Sequence, residues 1–180
     1  ADRIAIMEGG NLQQFAPPAE VYAQPANRFV AGFIGTPGMT LIDGDLVANG
    51  DAWAFESAGL RLNLPRLVPA AVKGAAAFGI RPEDVQLTSP GAGQIDGKST
   101  VVEYLGNTTY AYIDTAYGMI TVETSSAAGL TAGTAVGLTL AADKADARIL
   151  NYLGYSHRKA GRILVGLGYY QEAILNDPDY

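Results

Sequence analysis

The sequence predicts an α+β fold that is mainly β, with a β-barrel at its centre. Three observations carry that expectation. Residues 3–16 form two short apolar runs around Gly9-Gly10, and residues 17–35 hold two stretches with helix-start chemistry. From about Met39 to Leu150, short strand-like runs follow one another, separated by Gly, Asn, Asp and Pro at barrel-like spacings. With 48% apolar and 17% charged residues in 180, the chain can bury roughly two-thirds of its unfolded surface and lacks the composition of a disordered chain.

The elements are expected in the following order. Arg3-Ile4-Ala5-Ile6-Met7-Glu8, closed by Gly9-Gly10 and followed by the alternating Asn11-Leu12-Gln13-Gln14-Phe15, reads as a β-hairpin with a glycine turn. Pro17-Pro18-Ala19-Glu20-Val21-Tyr22 reads as a helix start: the prolines stand where first-turn N–H groups need no partner, and Glu20 suits the helix dipole. After Pro25, Phe29, Val30, Phe33 and Ile34 share one helical stripe, with Asn27 as cap and Gly35 as stop. Thr36-Pro37-Gly38 ends that unit. Strands are then expected at Thr40–Leu46, Trp53–Glu56, Leu60–Leu64, Ala75–Ile80, Gly97–Leu105, Thr109–Thr115, Met119–Thr124 and Ala135–Leu140. Beyond Asn151, His157, Arg158, Lys159 and Arg162 gather before Ile163–Leu175, a stretch that reads as a helix weakened by Gly161, Gly166 and Gly168 at about 1 kcal/mol each relative to Ala. Its Asp177-Pro178-Asp179 end should fray.

Charge and composition exclude several functions. The chain has 12 Lys+Arg against 18 Asp+Glu, a net charge of −6, and no clustered basic groove, so phosphate-led nucleic-acid binding is not expected. The absence of Cys excludes disulfides, thiolate nucleophiles and zinc–thiolate sites. No apolar run approaches the roughly 18 residues of a spanning helix, and Ala1-Asp2-Arg3 does not open a signal peptide. Any membrane link is therefore expected through a partner. The abrupt start without Met reads as a fragment or a processed product.

The chemistry-bearing residues form no catalytic constellation. No GxxxxGK[ST] cradle is present, and Gly91-Ala92-Gly93 and Gly166-Leu167-Gly168 lack the third glycine of a dinucleotide fingerprint. The single His157 lies in a cationic stretch without a nucleophile beside it. Glu83-Asp84 reads as a solvated turn, since neighbours in a strand point to opposite faces. Asp143-Lys144-Ala145-Asp146 reads as surface charge, lacking the glycine and terminal Glu of a calcium loop. Tyr104, Tyr110, Tyr112 and Tyr117 are expected to pack on a sheet rather than to form a stacking platform for single strands.

Residues 2–39 carry a specific resemblance. Asp2-Arg3-Ile4-Ala5-Ile6-Met7, Gly10, Gln13, Pro18, Glu20-Val21-Tyr22, the run from Pro25 to Gly35 and Pro37-Gly38-Met39 resemble the ATPase subunits of ABC importers. The likeness is to the class serving sugar, polyol and glycerol-phosphate uptake, the maltose-importer type. Gly79-Ile80-Arg81-Pro82-Glu83-Asp84 and Val101-Val102-Glu103-Tyr104-Leu105-Gly106-Asn107 resemble two markers of that family's C-terminal regulatory domain, an OB-like (TOBE/MOP-type) β-barrel. The family's Walker A, signature, Walker B and switch-histidine motifs would lie upstream of Ala1. Arg148-Ile149-Leu150-Asn151 stands where the family usually has His-Leu-Phe, and the tail after it matches no family pattern.

The resemblance implies three parts: residues 1–38, hairpin and helices from the end of a nucleotide-binding domain; 39–150, the regulatory barrel; and 151–180, a divergent tail. It implies no enzyme and no cofactor in this chain, with ATP and magnesium held by the intact subunit. It also implies a homodimer, transmembrane permease subunits and regulatory proteins as partners, and a cytoplasmic, peripheral place on the inner membrane face. Phe29, Val30, Phe33, Ile34, Arg81, Pro82, Glu83 and Gly106 are expected to carry structural or interaction roles, Arg81 by pairing with a carboxylate or capping carbonyls. The alternative is a stand-alone small-ligand module binding an oxyanion such as molybdate, with Arg81 and Lys98 as donors; a stand-alone enzyme is a weaker third reading.

Overall fold

The computed structural model describes residues 2–50, 52–64, 74–125 and 129–140. The expected helix after Asn151, His157 and its basic neighbours, Asp143 and Asp146, and the second Gly-x-Gly pair lie outside the described residues. The element order is β1 (Ile4–Glu8), β2 (Asn11–Ala16), α1 (Pro18–Ala23), α2 (Arg28–Phe33), β3 (Thr40–Asn49), β4 (Ala52–Ser57), β5 (Leu60–Leu64), β6 (Gly74–Ile80), β7 (Val85–Thr88), β8 (Ile95–Tyr104), β9 (Thr109–Thr115), β10 (Gly118–Thr124) and β11 (Ala135–Leu140). A 3₁₀ turn, Pro82–Asp84, joins β6 to β7.

β1 and β2 pair antiparallel about Gly9 and Gly10, whose φ angles of 54° and 80° are the left-handed values that a tight hairpin turn requires. A bulge at Gln13, between the pairs Ile6–Gln14 and Met7–Leu12, breaks the register. It lets two successive glutamines serve the helices. Gln13 Oε1 accepts from Asn27 at 2.7 Å, while Gln14 donates to the Gln24 carbonyl at 2.9 Å and accepts from the Ala26 N–H at 2.8 Å. Asn27 caps α2 as expected, accepting from Val30 N–H at 2.9 Å. Ile6, Ala16, Val21 and Val30 form the small core of this unit.

The remaining strands make two antiparallel sheets, ordered β5-β4-β3-β6 and β10-β9-β8-β11-β7. Alternation decides what they bury: Leu60, Leu62 and Leu64 turn inward while Arg61 and Asn63 stay exposed, and Ala111 and Ile113 turn inward between Tyr110, Tyr112 and Asp114. Both sheets share one core, with Leu46, Phe55 and Phe78 from the first meeting Ile113, Ile120 and Leu138 from the second. β10 packs against β7 and the 3₁₀ turn, which draws the five-stranded sheet round toward closure.

All eight expected strands are present, Leu60–Leu64, Thr109–Thr115 and Ala135–Leu140 with the expected bounds and the other five with ends that differ by up to about three residues. β7 was not expected. Four residues flanked by a 3₁₀ turn and by Ser89-Pro90-Gly91 are too few to show a period, and β7 exists because β11 pairs with it from Gly137–Thr88 to Leu140–Val85. No helix among the described residues is long and apolar enough to cross a membrane.

Candidate functional site

Among the described residues, Arg81 is the largest of the fully buried side chains, only 1% exposed. A guanidinium in that position costs several kcal/mol unless its donors are paired. β6 delivers it, in extended conformation, to the C-terminal ends of α1 and α2. Nη1 donates to the Ile34 carbonyl at 2.9 Å and Nη2 to the Tyr22 carbonyl. Both acceptors belong to helix ends, where carbonyls lack intrahelical donors. The guanidinium carbon also lies 3.6 Å from the centroid of the Tyr22 ring.

The chain then folds back on the same ring. Pro82, with φ fixed by its pyrrolidine, starts the 3₁₀ turn, and Glu83 Oε1 accepts from the Tyr22 hydroxyl at 2.6 Å. Tyr22 is thus held from below by Arg81 and at its tip by Glu83. Burial, then the hydrogen bond to Glu83, push its phenol up to about 12, against the opposing pull of Arg81. Gly35 completes the junction. Its φ is 106°, and a Cβ there would lie 3.0 Å from both Arg81 Nη1 and the Pro37 carbonyl. Arg81 caps carbonyls, one of the two roles expected for it.

Glu83-Asp84 departs from the solvated-turn expectation. Glu83 is exposed, but Asp84 is 4% exposed, because the tight 3₁₀ turn sends consecutive side chains to different sides of a backbone packed on β10. The apolar stripe is divided. Val30 is fully buried, Phe29 and Ile34 pack on the hairpin core, and Phe33 is 61% exposed and stacked on Phe29 at 5.4 Å. Gly106 lies elsewhere, at the β8–β9 turn with φ of 89°, beside Tyr104 and Leu105, which are 76% and 62% exposed.

The outer face of β8, β9 and β10 carries three cross-strand rows: Glu103–Tyr110–Glu123, Val101–Tyr112–Thr121 and Lys98–Asp114–Met119. Tyr110 and Tyr112 lie half-buried on it, as sheet packing predicts. Their phenols donate to Glu123 at 3.5 Å and Glu103 at 3.0 Å, and burial with these carboxylates raises both phenol pKa values. Tyr117 packs on the main core. Tyr104 does not pack; it closes a strand at an exposed turn. Glutamates at the phenol tips would repel a phosphate backbone.

Among the described residues, no three His, Cys, Asp or Glu side chains converge as a metal site. An open groove of about 490 Å³ on the β3–β5 sheet is lined by Gly44, Asp45, Glu56, Ser57 and Arg61, with the Glu56–Arg61 ion pair in its wall. Of the two donors named for an oxyanion, Arg81 is occupied by two carbonyls and a ring, and Lys98 stands opposite Asp114. The sequence names Gln13 and Tyr22 only as part of the resemblance, and gives neither of them, nor Gln14, a role at this junction. Tyr22 and Glu83 are 61 residues apart, and no local pattern marks such a pair.

Two family models match. Residues 35–85 match the MalK OB fold domain and residues 78–147 the TOBE domain. Residues 35–147 thus carry a MalK OB fold domain followed by a TOBE domain. The two matches overlap over 78–85, the segment that contains the Arg81–Glu83 clamp, and the first begins at Gly35, directly after Ile34, the C-cap of α2. The OB/TOBE chain is 38% identical over 117 residues to the alpha-glucoside transport ATP-binding protein AglK of Rhizobium meliloti, covering 63% of this chain and 32% of that one. It is 32% identical over 146 residues to the sn-glycerol-3-phosphate import ATP-binding protein UgpC 1 of Rhizobium johnstonii, covering 80% and 39%. To UgpC of Salmonella choleraesuis it is 42% identical over 110 residues, covering 59% and 30%. The chain spans about a third of the length of the curated relatives it matches. A solved structure of the cytoplasmic molybdate-binding protein ModG aligns over 57% of this chain and 90% of that one, with a TM-score of 0.46 and 16% identity. That likeness is too slight to bear on fold or ligand.

Proposed function

We propose that this OB/TOBE chain is the regulatory and dimerisation portion of the ATP-binding subunit of an ABC importer for sugars or related solutes. In this reading residues 1–38 are the end of a nucleotide-binding domain, 39–150 the regulatory barrel and 151–180 a divergent tail. ATP and magnesium belong to the intact subunit. Its partners are a second subunit of the same kind, the permease subunits and regulatory proteins, and its place is the cytoplasmic face of the membrane. The observation that carries the reading is the Arg81 clamp. A regulatory barrel acts only if its position is passed to the ATPase, and Arg81 bonds the C-terminal ends of both helices to the first residues of the TOBE match. The relatives support it, since each is named as an import or transport ATP-binding protein.

Two measurements on the purified chain test the proposal. Sedimentation velocity over a wide concentration range should show reversible self-association, and ATP should be neither bound with useful affinity nor turned over, because phosphoryl transfer needs a phosphate cradle and a magnesium ligand. A chain that stays monomeric throughout would overturn the dimerisation role. Saturable ATP turnover would overturn the non-catalytic one.

A further inference from the structure

The outer face of β8–β10 is anionic and aromatic at once. Glu103 and Glu123 flank Tyr110 in one row, Tyr112 fills the next, and Glu83 adds a third carboxylate beside Tyr22. The 3₁₀ turn that carries Glu83 packs against β10, the strand of Glu123, so the Tyr22–Glu83 and Tyr110–Glu123 pairs belong to neighbouring elements. The sole Lys or Arg in the three rows is Lys98, opposite Asp114 at the far end. Buried Arg81 lies beneath Tyr22. A carboxylate–tyrosine surface of this kind suits guanidinium and ammonium groups, which pair with the carboxylates and lie over the rings.

The chain itself supplies a matching segment. Between Ala147 and Gln171 the sequence has Arg148, Arg158, Lys159 and Arg162 and no Asp or Glu. Its point of departure is also favourable. β11 ends at Leu140, paired with Val85, the residue after the 3₁₀ turn that carries Glu83 and packs on β10. The residues between Leu140 and Arg158 span up to about 60 Å if extended, ample to return across three strands. A tethered segment binds at the high effective concentration of an intramolecular contact.

We propose that the basic segment 148–162 of this chain docks on its own Glu83/Glu103/Glu123–tyrosine face. The contact goes beyond the transport reading and does not depend on it.

The absence of Cys permits a clean test. A nitroxide is attached to Ala160→Cys in the full chain, and amide signals of Tyr110, Tyr112 and Glu123 are followed by NMR. At low salt these amides should be broadened several-fold more than those of β4 and β5. The broadening should vanish at about 1 M salt, where the Debye length falls to about 3 Å, and in the isosteric pair Glu103→Gln/Glu123→Gln. If that pair disturbs the fold, the salt series on the labelled parent decides alone. Unbroadened β9–β10 amides at low salt would overturn the proposal, as would broadening indifferent to salt. Broadening that appears only when spin-labelled and isotope-labelled chains are mixed would assign the face to a second copy and equally overturn it.

Discussion

Replacing Arg81 with Ala removes the groups that tie both helices to the barrel, and the size of the loss follows from the structure. The Ile34 and Tyr22 carbonyls lose their donors in a site where Arg81 is 1% exposed, and each unsatisfied buried acceptor costs about 1–3 kcal/mol. The lost contact with the Tyr22 ring adds about 2 kcal/mol for a desolvated cation–π pair. Water entering the vacated space offsets part of this, so about 4 kcal/mol is expected. For a chain of this size each kcal/mol moves Tm by about 2–4 °C, giving a drop of about 8–16 °C by calorimetry. Arg81→Met keeps most of the volume without the donors and should lose nearly as much; Arg81→Lys keeps one charge-assisted donor and should fall between. Amide exchange should accelerate first at Gln24 and Ile34, whose N–H groups close the last turns of α1 and α2. An Arg81→Ala chain within about 0.5 kcal/mol of the parent, the range of ordinary surface substitutions, would refute the clamp.

Further outcomes are expected at neighbouring positions. Phe33→Asp should weaken self-association while circular dichroism stays unchanged, because Phe33 is 61% exposed and Val30 alone of the stripe is fully buried; loss of structure, or an unaltered association state, would contradict this. Gly38→Ala should destabilise by about 1–3 kcal/mol, since its Cβ would sit 2.2 Å from the Gly32 carbonyl oxygen, a backbone atom that cannot rotate away; an unchanged denaturation midpoint would contradict it. Tyr22 should make stability fall with alkali. Its pKa is raised in the folded chain from 10.0 to about 12, so its contribution is complete below about pH 10 and lost as pH rises through 12. Tyr22→Phe should flatten that fall, and an identical slope in the two chains would show that the phenol is not held as described.

The sequence was most legible where pattern is local. Gly9-Gly10 demanded a hairpin turn, Asn27 capped the helix it preceded, and Leu60–Leu64 alternated so strictly that its bounds match the strand. β7 was not legible, because four residues carry no period and its partner β11 lies about fifty residues downstream. Asp84 was misread for a related reason: a carboxylate pair after Pro looks solvated until β10 is laid against the turn. At the candidate site, Arg81 could be given a role from its marker motif, whereas Tyr22, quoted only as part of the resemblance, could not. Its part depends on a ring brought over the guanidinium by two helices, and no spacing rule connects them.

The junction explains why the two small helices need the barrel at all. Each has six residues, well under the length at which an isolated helix is even marginal in water. Neither has a basic residue in its last turn to meet the exposed carbonyls. Arg81 supplies that missing charge from a strand of the barrel, and the hairpin's Gln13 and Gln14 bond the linker between the helices from the other side. The helices are therefore completed by elements on either side of them rather than by their own sequence. Displacing the barrel relative to the hairpin would break both Arg81 bonds and the Tyr22–Glu83 bond together. A movement of the barrel must accordingly carry α1 and α2 with it or unwind their last turns.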